Sequence, residues 1–419
     1  MKYLIENLFF IIVTLVSLIY YVNAQQCSNI VTRENILSIS PEKWKTYVSA
    51  FRTMALNGDL DQLAKIHNDH FAVIHDSPQF LLWHRYFLHD FETRLRQIDP
   101  SLALPYWDGA AEFTAPHTSR VFSESYFGGN GNPNNNYCVS SGIQANLSIG
   151  YPETRCLRRN FQGPNANSIA PWQSPAFITS IIQTSSSYDT FRQNLEHSLH
   201  NSMHFGIGGN VGDMISSWSP VDLLFYPHHA NIDRIWSKWQ NSEPQNMNLL
   251  DGLQRRPDGS FIQMNRNRPL AYYGIRTGQI LDTRKPPLCY TYDDIVSSSA
   301  RQQNMFEEQL RAKLSPLLLE QYFPKLLSSD KSAPLDFSNE RSLSQSIDRP
   351  LPYPISLSPS MAKRMGFNLA SVMDVQLRAH KFVHDMNQQF IQRTESAARS
   401  VESESVADNE EVEEESQED

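Results

Sequence analysis

Long apolar runs are scarce in this 419-residue chain: after LFFIIVTLVSLIY near the amino terminus, no segment is apolar enough to cross a bilayer. Stable membrane insertion is therefore not expected. Basic clusters are also missing, which argues against a nucleic-acid partner. The formal net charge of −9 resides in the tail, since residues 395–419 hold eleven acids against Arg399 alone, leaving about +1 for the rest. That tail, VESESVADNEEVEEESQED, has too few apolar residues to drive folding and is expected to be disordered. No internal repeat is present, and nothing points to an oligomeric state. Only four cysteines occur, Cys27, Cys138, Cys156 and Cys289. An even count in an oxidising compartment favours two disulfides, and of the three possible pairings we take Cys138 with Cys156 and Cys27 with Cys289.

What is present starts with the leader. Lys2 and Glu6 precede the apolar run, and Val22-Asn23-Ala24 ends on a small residue, so residues 1–24 read as a secretory signal peptide and the chain as extracellular. Asn146-Leu147-Ser148 is a glycosylation sequon in a Gly/Asn-rich stretch. Residues 296–394 read as a partly helical carboxy-terminal extension of a domain spanning 25–295.

The chemistry lies in two histidine clusters, IHNDHFAVIHDSPQFLLWHRYFLHDFE and LEHSLHNSMHFGIGG…SPVDLLFYPHHANIDRIW. The first offers His67, His75 and His84; the second offers His200, His204 and one of His228/His229. His200 and His204 are four apart, which on a helix puts both rings on one face, beside the apolar stripe Phe191, Leu195, Leu199 and Met203. His197 falls off that face. His228/His229 sit at the first turn of a helix carrying Ile232, Ile235, Trp236 and Trp239, with Asp233 and Arg234 placed for support or an ion pair. His67 is expected to project from a helix end, His75 to lie on a loop, and His84 to open the next helix. Three imidazoles suit Zn, Cu, Fe or Ni and leave the metal partly uncovered, so that a small molecule can still bind. The pair His380/His384 repeats the four-residue spacing without a third partner and reads as a polar helix face, while His70, His89 and His117 read as ordinary polar residues.

The run from His75 to Glu92, H-x4-F-L-x-W-H-R-x2-L-x3-E, and the run from Asp222 to Asp233, D-x2-F-Y-x2-H-x3-D, resemble the two copper signatures of the tyrosinase family, which includes catechol oxidases and molluscan haemocyanins. The likeness extends through TRENILSISPEKWKTYVSAF, LPYWD and CYTY, about residues 27 to 295. Leu82 and Leu223 stand where the family usually has proline. Val73 replaces the cysteine that in some relatives forms a thioether to a ligand.

The resemblance implies a mainly α fold: an antiparallel helical bundle holding a dinuclear copper site, with long loops and little sheet. It implies two copper ions, one on His67, His75 and His84 and the other on His200, His204 and His229. Glu196 and Asn201 match residues proposed in the family to polarise a water that takes a phenol proton. Trp218 is a candidate for the site's mouth, with a core or surface-packing role as the alternative. The implied activity uses O2 to hydroxylate monophenols or oxidise o-diphenols to o-quinones, on phenolic small molecules or protein tyrosines. The alternatives are catechol oxidation alone and haemocyanin-like O2 binding.

Overall fold

A computed structural model describes residues 26–256, 258–296, 310–327 and 347–415, with side chains to Arg399 apart from a few positions. The signal peptide expected at residues 1–24 lies outside the described residues. The fold is mainly helical, with three two-stranded ribbons, as expected.

Strand β1 (Val31–Arg33) leads into α1 (Pro41–Leu56), which starts where Ser40 accepts the Lys43 N–H and Pro41 takes the first turn. The apolar pattern from Trp44 to Ile66 gives two helices, because Asn57-Gly58 interrupts it; Gly58 has φ +81°, a conformation that favours glycine. Helix α2 (Asp59–Ile74) follows with Asp59 and Asp61 in its first turn, where they complement the helix dipole. His67 therefore lies mid-helix, not at a helix end. His75 is extended and caps α2, and Asp76 turns the chain with φ +46° into α3 (Phe80–Ile98).

A loop-rich stretch holds β2 (Ser148–Ile149) and β3 (Arg155–Cys156), then α4 (Pro175–Thr184) and α5 (Tyr188–Leu195). Between α5 and α6 (Asn201–Gly208) the turn Glu196–His200 widens into a π-helix, with Ser198 at φ −107° and ψ −105°. Helix α7 (Phe225–Ser242) packs on α3, and β4 (Leu253–Arg255) pairs with β5 (Phe261–Gln263). Strand β6 (Tyr290–Tyr292) returns to β1 in parallel register, Arg33 opposite Tyr292. The disulfides are Cys27–Cys289, beside this ribbon, and Cys138–Cys156, the expected pairing. Asn146 of the sequon is exposed.

A charged network holds α3, α7 and the β1–β6 ribbon together. Arg85, next to His84, donates to Asp233 at 2.6 Å, to the carbonyl of Leu281 and to Gln240, and its guanidinium lies 3.5 Å from the Trp236 ring centre. Asp233, four residues past His229, also accepts from the hydroxyls of Tyr290 and Tyr292. Arg33 grips Glu92 with two nitrogens, at 3.2 and 2.8 Å, and sits over Tyr290. All of these groups are buried, so each charge depends on its partners. Arg234 pairs instead with Asp294 and Asp108.

Short helix α8 (Asp293–Val296) closes this part of the chain. The described parts of the extension carry α9 (Pro316–Tyr322), α10 (Pro324–Leu327), α11 (Pro359–Arg364) and α12 (Leu369–Glu415), and no strand. They are not a separate body: Leu318, Phe323, Phe382 and Met386 join the main core, and Ile355 N–H bonds to the Pro171 carbonyl at 2.7 Å. Residues 395–415, expected to be disordered, continue α12; no proline or glycine interrupts the run. Among the described residues no helix is long and apolar enough to cross a membrane.

Removing the carboxylate of Asp233 strands Arg85 in the core. Asp233→Ala is expected to cost ~3–5 kcal/mol, read as a lower urea midpoint.

Candidate metal centre

Four helical segments converge on one buried point. Helix α2 supplies His67 from its middle and His75 from its end, and α3 supplies His84; the π-turn and α6 supply His200 and His204, and the start of α7 supplies His228 and His229. None of these rings is more than 7% exposed. In the first cluster the ring centres of His67, His75 and His84 are 4.9–5.4 Å apart. In the second, those of His200, His204 and His229 are 4.5–5.3 Å apart. The clusters face each other: His84 stacks on His229 at 4.4 Å, and His75 lies 5.8 Å from His200.

The proton positions test whether a metal fits. A neutral imidazole has one N–H. His67 gives its Nδ1 proton to the Ser217 carbonyl at 2.6 Å and His84 gives its own to the Phe80 carbonyl at 2.8 Å. Both Nε2 atoms are then bare, yet they face each other at 3.3 Å. His204 likewise spends its Nδ1 proton on the Met214 carbonyl, and its Nε2 lies 3.1 Å from Nε2 of His229. Nδ1 of His75 and Nε2 of His200 are buried without a hydrogen-bond partner. Lone pairs converging in a dry interior repel one another unless a cation lies between them, and an all-imidazole donor set suits copper. Burial also keeps the rings in the neutral, ligating form: it pushes His67 down to about 3 and His204 to about 4, and depresses His75, His84, His200 and His229 well below the usual range.

His228 shares the second cluster, with neither ring nitrogen partnered. His70 bonds back to the Ile66 carbonyl and meets Tyr272, and His380 contacts Ser356 and Pro354. Trp218 is half-buried, donates to Asp213 and packs with Ala64, Val139 and Ile149, with no ring contact to the histidines.

Glu196 and Asn201 are both buried, and the Asn201 N–H donates to the Glu196 carbonyl, but no hydrogen bond joins their side chains. Glu196 accepts from the Asp76 N–H at 2.7 Å and from Arg192 at 2.9 Å; burial outweighs that guanidinium and lifts its carboxyl above the usual range. Asn201 instead contacts His200 and His197. Two neighbours, Asp76 and Phe367, went unmarked in the sequence, and a third, His197, was set aside. His197 lies off the face of His200 and His204, but it meets Asn201, four residues on. Its position four residues before Asn201 was the available signal. Phe367, from the extension, packs on His75 at 6.3 Å, His197 at 5.8 Å and Phe71 at 6.3 Å, which no local pattern announces.

Comparison with known proteins agrees with this site. The sequence model for the common central domain of tyrosinase matches residues 57–242. A tyrosinase from Streptomyces antibioticus is 30% identical over 244 residues, covering 52% of this chain and 86% of the relative. Tyrosinase ustQ from Aspergillus flavus is 30% identical over 292 residues, 64% of this chain and 80% of the relative. Among solved structures, a polyphenol oxidase mutant from Thermothelomyces thermophila superposes with a TM-score of 0.52 at 22% identity, over 63% of this chain and 88% of that one, and so shares the fold. With two facing imidazole clusters on a helical scaffold and relatives of this kind, the chain belongs to the tyrosinase family of dinuclear copper phenol oxidases.

Proposed function

We propose that this is a secreted copper oxidase that uses O2 to convert o-diphenols, and monophenols after ring hydroxylation, to o-quinones. His67, His75 and His84 hold one copper and His200, His204 and His229 the other. The observation that carries the reading is the pair of facing, bare Nε2 atoms of His67 and His84. Secretion is supported by the apolar leader and the two disulfides.

Two coppers, when bound, supply the electrons for O2 reduction while a phenol beside them is oxidised. The chain does the rest. Carbonyls of Ser217, Phe80 and Met214 fix ring tautomers so that Nε2 points inward. Phe80 and Phe225 wall the rings, Phe225 stacking on His229 at 4.0 Å, and exclude bulk water. Phe367 packs beside His75, and its ring is proposed to border the path by which a phenol enters.

One observation favours oxidation of o-diphenols alone as the second reading. Both oxygens of Glu196 are engaged by Arg192 and the Asp76 N–H, which leaves the carboxylate poorly placed to draw a proton from a monophenol through a water. Copper-loaded protein assayed on tyrosine and on a catechol separates the two. The main reading expects turnover of both, and turnover of catechol alone establishes the second.

Two further outcomes are expected. His229→Ala drops bound copper from two per chain to about one, whereas His228→Asn keeps two, as read by metal analysis after dialysis. Phe367→Ala raises kcat/KM for a bulky catechol several-fold more than for catechol itself; equal ratios would remove Phe367 from the entry path.

A further inference from the structure

Asp76, Glu196 and His197 come close enough together to suggest a third metal seat. Their oxygens are already taken. Asp76 Oδ1 accepts from His197 Nε2 at 3.0 Å and lies 3.7 Å from Arg192, and its Oδ2 accepts from the Asn368 N–H at 2.5 Å. Glu196 is engaged by Arg192 and the Asp76 N–H. The group is a chain of hydrogen bonds, and its direction can be worked out link by link.

Asp76 as a carboxylate only accepts, so the His197 proton sits on Nε2 and its Nδ1 is an acceptor. That Nδ1 lies 3.4 Å from Asn201 Nδ2, which can only donate. Asn201 therefore turns its carbonyl oxygen toward His200, whose Nδ1 lies 3.0 Å away and must donate. With its proton on Nδ1, His200 presents a bare Nε2, the nitrogen that is buried without a partner at the metal cluster. The chain His200→Asn201→His197→Asp76 thus has one consistent polarity. His67, His84 and His204 take their orientation from backbone carbonyls instead. His200 also has the Glu196 carbonyl in reach, at a longer 3.3 Å, because the π-turn lengthens the usual backbone contact.

We propose that His197 and Asp76 are positioning residues for the second copper: they hold the Asn201 amide in the orientation that fixes the His200 tautomer. This rests on the reading that His200 is a copper ligand. Because Asp76 directly follows His75, the same residue ties the geometry of the second cluster to the loop that carries a ligand of the first. Its left-handed backbone, φ +46°, is held by Glu196 through the Asp76 N–H, which gives Glu196 a role that does not require it to face substrate.

The test uses His197→Phe, which keeps a buried ring and removes both nitrogens, and His197→Gln, whose amide can accept from Asn201 and donate to Asp76. In copper-free, ¹⁵N-histidine-labelled protein, His200 is expected as the Nδ1–H tautomer in the wild type and in His197→Gln, and as a tautomer mixture in His197→Phe. After copper loading, a chelator is expected to strip one of the two ions about 10- to 100-fold faster from His197→Phe, the usual range for loss of a ligand's hydrogen-bond partner, with His197→Gln close to wild type. Asn201→Leu, which breaks the chain one link nearer the metal, gives the same pair of changes should His197→Phe fail to fold. An unchanged tautomer and unchanged release in His197→Phe overturn the proposal, as does a His197→Gln variant as impaired as His197→Phe, which marks a packing role. If the wild type takes up no copper, the functional reading fails, while the tautomers in the copper-free chains still decide the positioning.

Discussion

Six or seven neutral imidazoles with inward lone pairs, buried in a protein interior, are the constraint around which this molecule is built. A lone pair in a dry core ordinarily finds a proton donor. At three of the rings the proton is drawn outward instead, by Ser217 at His67, Phe80 at His84 and Met214 at His204. The rings stay neutral because burial opposes their charge, so the cluster keeps its ligating form over the physiological pH range. Such a core is poorly satisfied without metal and well satisfied with it, and metal binding then adds to the stability of the fold.

The scaffold answers this demand with ion pairs close to the proposed ligands. Arg85 and Asp233 lock α3 to α7 one residue from His84 and four from His229, and the tyrosines of β6 bring the end of the catalytic unit into the same network. The Cys27–Cys289 bridge closes that ribbon from outside. On the opposite side the extension contributes Phe367 as part of the wall over His75 and Asn368 as a donor to Asp76. The extension is thus built into the site and shares the main core, which explains why its helices carry apolar residues such as Phe382 and Met386 on one side.

Much of this was legible in the sequence because the periodicity of helices and the spacing of histidines are local signals. The clustering of His67, His75 and His84, and of His200, His204 and His229, could be anticipated from spacing and from the two copper signatures, as could the mainly helical fold and the disulfide pairing. Asp233 was marked for support or an ion pair, and it pairs with Arg85. Other features depended on contacts that no local pattern encodes. His67 sits mid-helix because Asn57-Gly58 ends the preceding helix earlier than the apolar stripe suggests. His197 was set aside because it lies off the face of His200 and His204, yet it meets Asn201, four residues on. Phe367 reaches the site across more than 160 residues from Asn201. Trp218, read as a candidate for the mouth or for a packing role, donates to Asp213.

The account stands on two coppers, each held by three imidazoles. Anomalous diffraction at the copper edge from crystals of the copper-loaded chain tests this most directly. Two peaks are predicted, one bounded by His67, His75 and His84 and one by His200, His204 and His229. A single peak, or a peak seated among Asp76, Glu196 and His197, would contradict it.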